Sequence, residues 1–184
     1  MILLTGGAGF IGSNILASLN ERGVSEIAIS DHVDAPKQKN IAKHRYTEIV
    51  PPEDMLRWLD GRKLDAILHL GAISSMTATD EDAVMAANFE LPLDLLDWCA
   101  KAKTPFIYAS SAATYGDGSR GFDDDFTPAA LERLRPLSLY GWTKHAFDLS
   151  VVRRLAVARE RPPVLRGLQP GRQGHLADIS EGAE

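Results

Sequence analysis

The chain has 184 residues, 20 of them lysine or arginine and 25 aspartate or glutamate, for a net charge of −5. That length builds one domain whose core needs no metal or disulfide staple, and the acidic balance argues against nucleic acid as a partner. The single cysteine, Cys99, suits a reducing compartment. No apolar run reaches the ~20 residues that span a bilayer, and no basic, apolar leader precedes Ile2, so the expectation is a cytoplasmic protein without a membrane partner.

Ile2 to Thr5 reads as a buried strand that ends at glycines. Phe10 to Arg22 carries Ile11, Ile15, Leu16 and Leu19 at helical spacing, and Gly23 is placed to end that helix. Glu26 to Ser30 is a second strand, and His32 to Lys43 reads as a polar loop with Lys37, Lys39 and Lys43. A third strand falls at Arg45 to Val50, and Pro51-Pro52 opens a helix through Met55, Leu56 and Leu59. Asp65 to Leu70 is a buried strand, and a long helix over Asp80 to Lys103 is expected to be irregular at Pro92. Pro105 to Ala109 is the next strand, residues 112–135 read as a loop, and Ser138 caps a helix reaching about Glu160. Strands that are apolar on both faces and alternate with helices predict an α/β fold with a parallel sheet covered on each side.

The chemistry concentrates where strands end. In Thr5-Gly6-Gly7-Ala8-Gly9-Phe10-Ile11-Gly12, the residues Gly6, Gly9 and Gly12 recur every third position between a strand and a helix. Such a turn brings backbone N–H groups and a helix N-terminus against a pyrophosphate. No Gly-Lys-Ser/Thr follows, so an ATP-type phosphate loop does not fit. Asp31 ends the second strand, where a carboxylate accepts ribose hydroxyls. The cations Lys37 and Lys39 nearby would suit a 2′-phosphate, which leaves both NAD and NADP open.

Tyr140 and Lys144 stand one helical turn apart, and an ammonium there favours the ionised form of a phenol that exchanges a proton with a substrate hydroxyl. Ser111, in Tyr108-Ala109-Ser110-Ser111, leaves a strand at its carboxyl end and is placed to hydrogen-bond the same hydroxyl. Gly71 and Ala72 let the chain pass close to a cofactor. His69 and Cys99 read as packed core residues, and no metal site is expected.

Four stretches together, TGGAGFIGSNI (5–15), HLGAISSMT (69–77), YASSAATYG (108–116) and YGWTK (140–144), resemble the extended short-chain dehydrogenase/reductase family of NAD-dependent epimerases and dehydratases. The resemblance covers about residues 1–165. It implies a Rossmann-type doubly wound parallel sheet, a nucleotide-sugar substrate, NADP or NAD as cofactor, and a homo-oligomer. By residue, it implies that Phe10 and Ile11 meet the cofactor through backbone, that Asp31 and His32 hold the adenosine ribose, and that Lys37 lies near a 2′-phosphate. Leu70, Gly71, Ala72, Ile73 and Ser74 would line the dinucleotide, with Asn88 near it. Ser111, Tyr140 and Lys144 would form the catalytic trio.

Within the family, the loop Gly71-Ala72-Ile73-Ser74-Ser75 is more similar to the ADP-heptose 6-epimerase branch than to UDP-galactose 4-epimerases. UDP-sugar 4-epimerases and sugar-nucleotide dehydratases stay as alternatives, as does a non-catalytic NAD(P)-binding remnant. Residues 166–184 depart from the family pattern. They are expected to be a poorly ordered tail, a truncated or frame-shifted end that replaces the substrate-binding part, so that this chain alone turns over weakly.

Overall fold

Apolar residues on both faces force the first strand to the middle of a sheet. The computed structural model describes residues 1–75, 80–157 and 164–165. In it β1 (Ile2–Thr5) pairs in parallel with β2 (Ile27–Ser30) on one side and with β4 (Ala66–His69) on the other. Strand β3 (Glu48–Val50) lies beyond β2, β5 (Phe106–Tyr108) beyond β4, and β6 (Val164–Leu165) beyond β5. The six parallel strands run in the order β3-β2-β1-β4-β5-β6, the doubly wound Rossmann arrangement, which reverses direction between β1 and β4. That is the expected fold class. The sheet does not stop at β5, because Val164 and Leu165 pair with Phe106 and Ile107.

Successive strand residues face opposite ways, so the sheet divides the core in two. Leu4 and Ile29 pack with Leu16 of α1 (Phe10–Glu21) and Ile41 of α2 (Ala35–Ile41). Leu3, Ile67 and Phe106 pack on the other face with Leu95 and Cys99 of α5 (Leu91–Ala102) and with Phe147 and Val151 of α7 (Leu139–Val157). Cys99 is core, as expected, and burial pushes its thiol up to about 12. Gly23 ends α1 at φ +85°: its N–H bonds to Asn20 O and the Val24 N–H to Leu19 O, which satisfies the last carbonyls.

Two expectations are corrected, for residues 32–43 and 112–135, and the irregular helix expected around Pro92 is found. The polar stretch 32–43 is not a loop but contains α2. Asp34 caps that helix by accepting the Lys37 N–H, Pro36 stands in its first turn, and Ile41 anchors it in the core. The long helix after Asp80 is α4 (Glu81–Met85), a π-helical turn (Ala86–Glu90) and then α5. Pro92 has no N–H for the carbonyl four residues back, and the wider turn precedes it. Residues 112–135 hold a 3-10 helix (Ala112–Tyr115) and the short α6 (Pro128–Leu131), whose first N–H groups are met by Ser111 and Thr127.

A 3-10 turn (Pro52–Asp54) leads into α3 (Met55–Trp58), close to expectation. Ser138 caps α7, accepting the Gly141 N–H at 3.0 Å. The expected helix end at Glu160 and the tail 166–184 lie outside the described residues. Among the described residues, no helix is long and apolar enough to cross a membrane.

Candidate active site

The site is built at the carboxyl ends of β1, β4 and β5. At the first of these, Gly6 turns the chain at φ +66°, and a Cβ there would lie 2.7 Å from the Gly71 nitrogen. A Cβ on Gly12 would lie 2.2 Å from the Gly6 carbonyl oxygen, so only hydrogen fits at either position. Helix α1 then begins at Gly9, with no side-chain cap and no acidic residue in its first turn. Its first N–H groups therefore keep their hydrogens and partial positive charge for an outside acceptor. Phe10 and Ile11 flank that opening, 85% and 61% exposed. This cradle fits the pyrophosphate of a dinucleotide.

Ala8 clamps the turn toward β2. Its N–H donates to Asp31 Oδ2 at 3.0 Å, and its carbonyl accepts from the Asn40 amide at 2.9 Å. The other Asp31 oxygen takes the Lys37 ammonium at 2.6 Å. A carboxylate has about four acceptor sites, so Asp31 retains capacity for a ribose hydroxyl. His32 points outward, 3.8 Å from Glu53.

Thr5 clamps the turn toward β4. Its hydroxyl accepts the Leu70 and Gly71 N–H groups at 3.2 and 3.0 Å and lies 2.8 Å from His69 Nδ1. The hydroxyl and the imidazole share one hydrogen between them, while the buried His69 Nε2 has no hydrogen-bond partner among the described residues. Burial first, and Lys144 second, push His69 down to about 3, so it is neutral and packed rather than basic. Beyond Gly71, Ala72 and Ser74 are exposed and Ile73 is half-buried. Asn88, from the π-helical turn, accepts the Ile73 N–H at 2.8 Å, donates to the Ile73 carbonyl at 2.9 Å, and reaches Thr143 on α7. Its amide is thus engaged in holding the 71–75 loop.

The N-terminus of α7 presses on the segment after β5. A Cβ on Gly141 would lie 2.7 Å from the Ala113 carbonyl oxygen, so the glycine permits this approach. Tyr140 and Ser111 are half-buried on the two sides of that contact. Ser111 Oγ accepts the Ala113 N–H at 3.2 Å, which leaves its own hydrogen to donate. Lys144 is buried on the same face of α7 as Tyr140, and burial lowers its ammonium while Asp148 raises it. The predicted residues thus fall along one sheet edge, with His32 facing away. Sequence reasoning missed Thr5 and Asn40, whose partners are remote in the chain. It also missed Asp148, whose position one turn after Lys144 was a readable signal.

A parallel sheet with a glycine turn beside its reversal point defines a dinucleotide-binding domain. The chain belongs to the NAD dependent epimerase/dehydratase family, whose profile matches residues 2–158. It is 41% identical over 153 residues to an ADP-L-glycero-D-manno-heptose-6-epimerase of Fusobacterium nucleatum, covering 80% of this chain and 46% of that one. The crystal structure of the Helicobacter pylori ADP-L-glycero-D-manno-heptose-6-epimerase matches with a TM-score of 0.71 at 29% identity, over 83% of this chain and 50% of that chain. A UDP-glucose 4-epimerase of Thermotoga maritima with UDP-glucose matches at 0.65 and 26% identity, over 85% and 51%. The chain spans about half the length of the curated relatives it matches.

Proposed function

We propose that this chain is the cofactor-binding and acid–base part of a cytoplasmic, homo-oligomeric sugar-nucleotide epimerase that acts on an ADP-linked heptose at C6. The observation that carries the proposal is the convergence of the Gly6–Gly12 cradle, the 71–75 loop and the Tyr140–Lys144 helix at adjacent strand ends. The heptose epimerase relatives support the choice of sugar, and the buried thiol of Cys99 suits a reducing compartment.

Bound nicotinamide supplies a hydride acceptor that later returns the hydride. Around it, the first-turn amides of α1 would hold the pyrophosphate, Asp31 would take the adenosine ribose, and Lys37 would meet a 2′-phosphate, which favours NADP over NAD. With that acceptor in place, Tyr140 would take the proton of the substrate hydroxyl as the neighbouring C–H bond gives up its hydrogen with both electrons, leaving a ketone. Inversion would need the ketone to present its other face and a proton to be restored to its oxygen, by Tyr140 on a turned substrate or by a donor on the far side, leaving no net oxidation. Ser111 donates to the reacting oxygen, and Lys144 holds positive charge beside Tyr140.

A non-catalytic nucleotide-binding chain is the second reading, which the Gly6–Gly12 cradle alone would satisfy. Calorimetric titration of the chain with NADP and NAD, followed by ADP-D-glycero-D-manno-heptose, separates the two. The proposal expects tighter NADP than NAD binding, loss of that preference in Lys37→Ala, binding of the sugar nucleotide to the cofactor-loaded chain, and no more than weak conversion by this chain alone. Cofactor binding without sugar-nucleotide binding favours the second reading, and a folded chain that binds neither cofactor overturns both.

A further inference from the structure

An ammonium as buried as that of Lys144, at 3% exposure, gives up its proton unless a negative charge stays close. One turn further along α7 lies Asp148, 1% exposed. Its Oδ1 accepts the Tyr108 hydroxyl at 2.8 Å and its Oδ2 the Ser110 hydroxyl at 2.5 Å. Both donors come from β5 and the residues just after it, the segment that continues into Ser111. We propose that Asp148 is a positioning residue for the Tyr140–Lys144 pair. Its carboxylate is the fixed counter-charge of the Lys144 ammonium, and its two hydrogen bonds lock α7 to the strand end that presents Ser111.

The surrounding groups agree with this assignment. Tyr108 faces Asp148 from β5, and burial together with Asp148 pushes its phenol far up, so it remains an O–H donor. Its ring also lies 5.9 Å from the Lys144 ammonium. His69 faces from β4 and is neutral. Tyr115 faces from the 3-10 helix, its phenol also pushed up by burial and by its hydrogen bond to Asp124, so it carries no charge. Burial pushes the Asp148 carboxyl up as well, while Ser110, Tyr108 and Lys144 all pull it back. An acceptor-only carboxylate that receives two hydroxyl hydrogens keeps further acceptor capacity toward the Lys144 side of α7. The tether is indirect: Asp148 touches neither Tyr140 nor Ser111 in this network and acts through Lys144 and Ser110.

The proposal rests on the acid–base reading of Tyr140 and Lys144 only for its functional meaning, and its test needs neither cofactor nor turnover. In the full chain, side-chain NMR follows the Lys144 Nζ and the Asp148 Cγ across pH. At neutral pH the wild type is expected to show an Asp148 carboxylate and a Lys144 ammonium. Asp148→Asn is expected to lower the Lys144 midpoint by at least about one pH unit, a tenfold change in the ammonium-to-amine ratio. Asp148→Glu, which keeps the charge, is expected to retain most of the wild-type midpoint, and Tyr108→Phe, which removes a tether but no charge, to leave the midpoint nearly in place.

A folded Asp148→Asn variant with an unmoved Lys144 midpoint overturns the proposal. So does a protonated Asp148 at neutral pH in the wild type, a result that needs no variant to fold. Should the wild type bind neither NAD nor NADP while Asp148→Asn still shifts Lys144, the functional reading fails and the charge pairing stands.

Discussion

The Thr5 hydroxyl sits 2.8 Å from the Nδ1 of His69, its register partner across β1 and β4. The same oxygen receives the N–H groups of Leu70 and Gly71. One hydroxyl therefore joins the glycine turn, the neighbouring strand end and the loop that follows it, and this joint sets how far apart the two walls of the cofactor cradle stand.

Thr5→Val keeps the shape and removes the joint. The Gly71 amide and the His69 imidazole nitrogen lose their partner while the Leu70 amide keeps the Thr5 carbonyl, which costs about 2 kcal/mol. Urea unfolding is expected to show that loss, and Thr5→Ser, which keeps the hydroxyl, to show less of it. Cofactor affinity is expected to fall in the valine variant more than in the serine one.

His69 makes the fold sensitive to acid. Its imidazole is pushed from 6.5 down to about 3 by burial, then by Lys144. As pH falls through about 6.5 the unfolded chain takes up this proton and the folded chain does not, until about 3. Stability from this group is thus complete above 6.5 and is lost with falling pH at about 1.4 kcal/mol per unit. Between pH 7 and pH 5 the wild type is expected to lose about 2 kcal/mol more than His69→Gln does, as read from urea midpoints. Equal losses in the two proteins would show that His69 protonates in the folded state.

The central strands and the glycine turn were legible because their signal is local: a run of apolar residues, then glycines at fixed spacing. Tyr140 and Lys144 were legible for the same reason, four residues apart on one helix. Helix α2 was not, because its polar, lysine-rich face hid a cap at Asp34 and a single anchor at Ile41. The π-helical turn was not either, since one residue's displacement depends on how Pro92 meets the turn before it. The place of Asp31 at the end of β2 is equally local. Its engagement with Ala8 and Lys37 needed the third dimension, because one partner is 23 residues away.

Asn88 holds Ile73 by both its N–H and its carbonyl, so the 71–75 loop is expected to loosen when that amide is removed. Asn88→Ala should cost about 2 kcal/mol and speed hydrogen exchange at the Ile73 amide. Asn88→Asp keeps the acceptor for that amide and loses only the donor, so Ile73 should stay protected in it. Exchange measured by NMR in the three proteins checks the order wild type, aspartate, alanine.

Gly141 tests whether the approach of α7 to the segment after β5 shapes the site. A methyl group there would lie 2.7 Å from the Ala113 carbonyl and 3.2 Å from the Pro136 side chain. Backbone does not yield as a flexible side chain does, so α7 has to move away and carry Tyr140 from Ser111. Overpacking of this kind costs about 1–3 kcal/mol. Trp142, next in sequence but 47% exposed, makes the control, since Trp142→Ala should change stability by no more than about 0.5 kcal/mol. Gly141→Ala is therefore expected to lower the melting temperature and, where the sugar nucleotide is converted, to reduce kcat more than it raises KM. A Gly141→Ala protein as stable and as fast as the wild type would mean that this contact does not set the spacing of Tyr140 and Ser111.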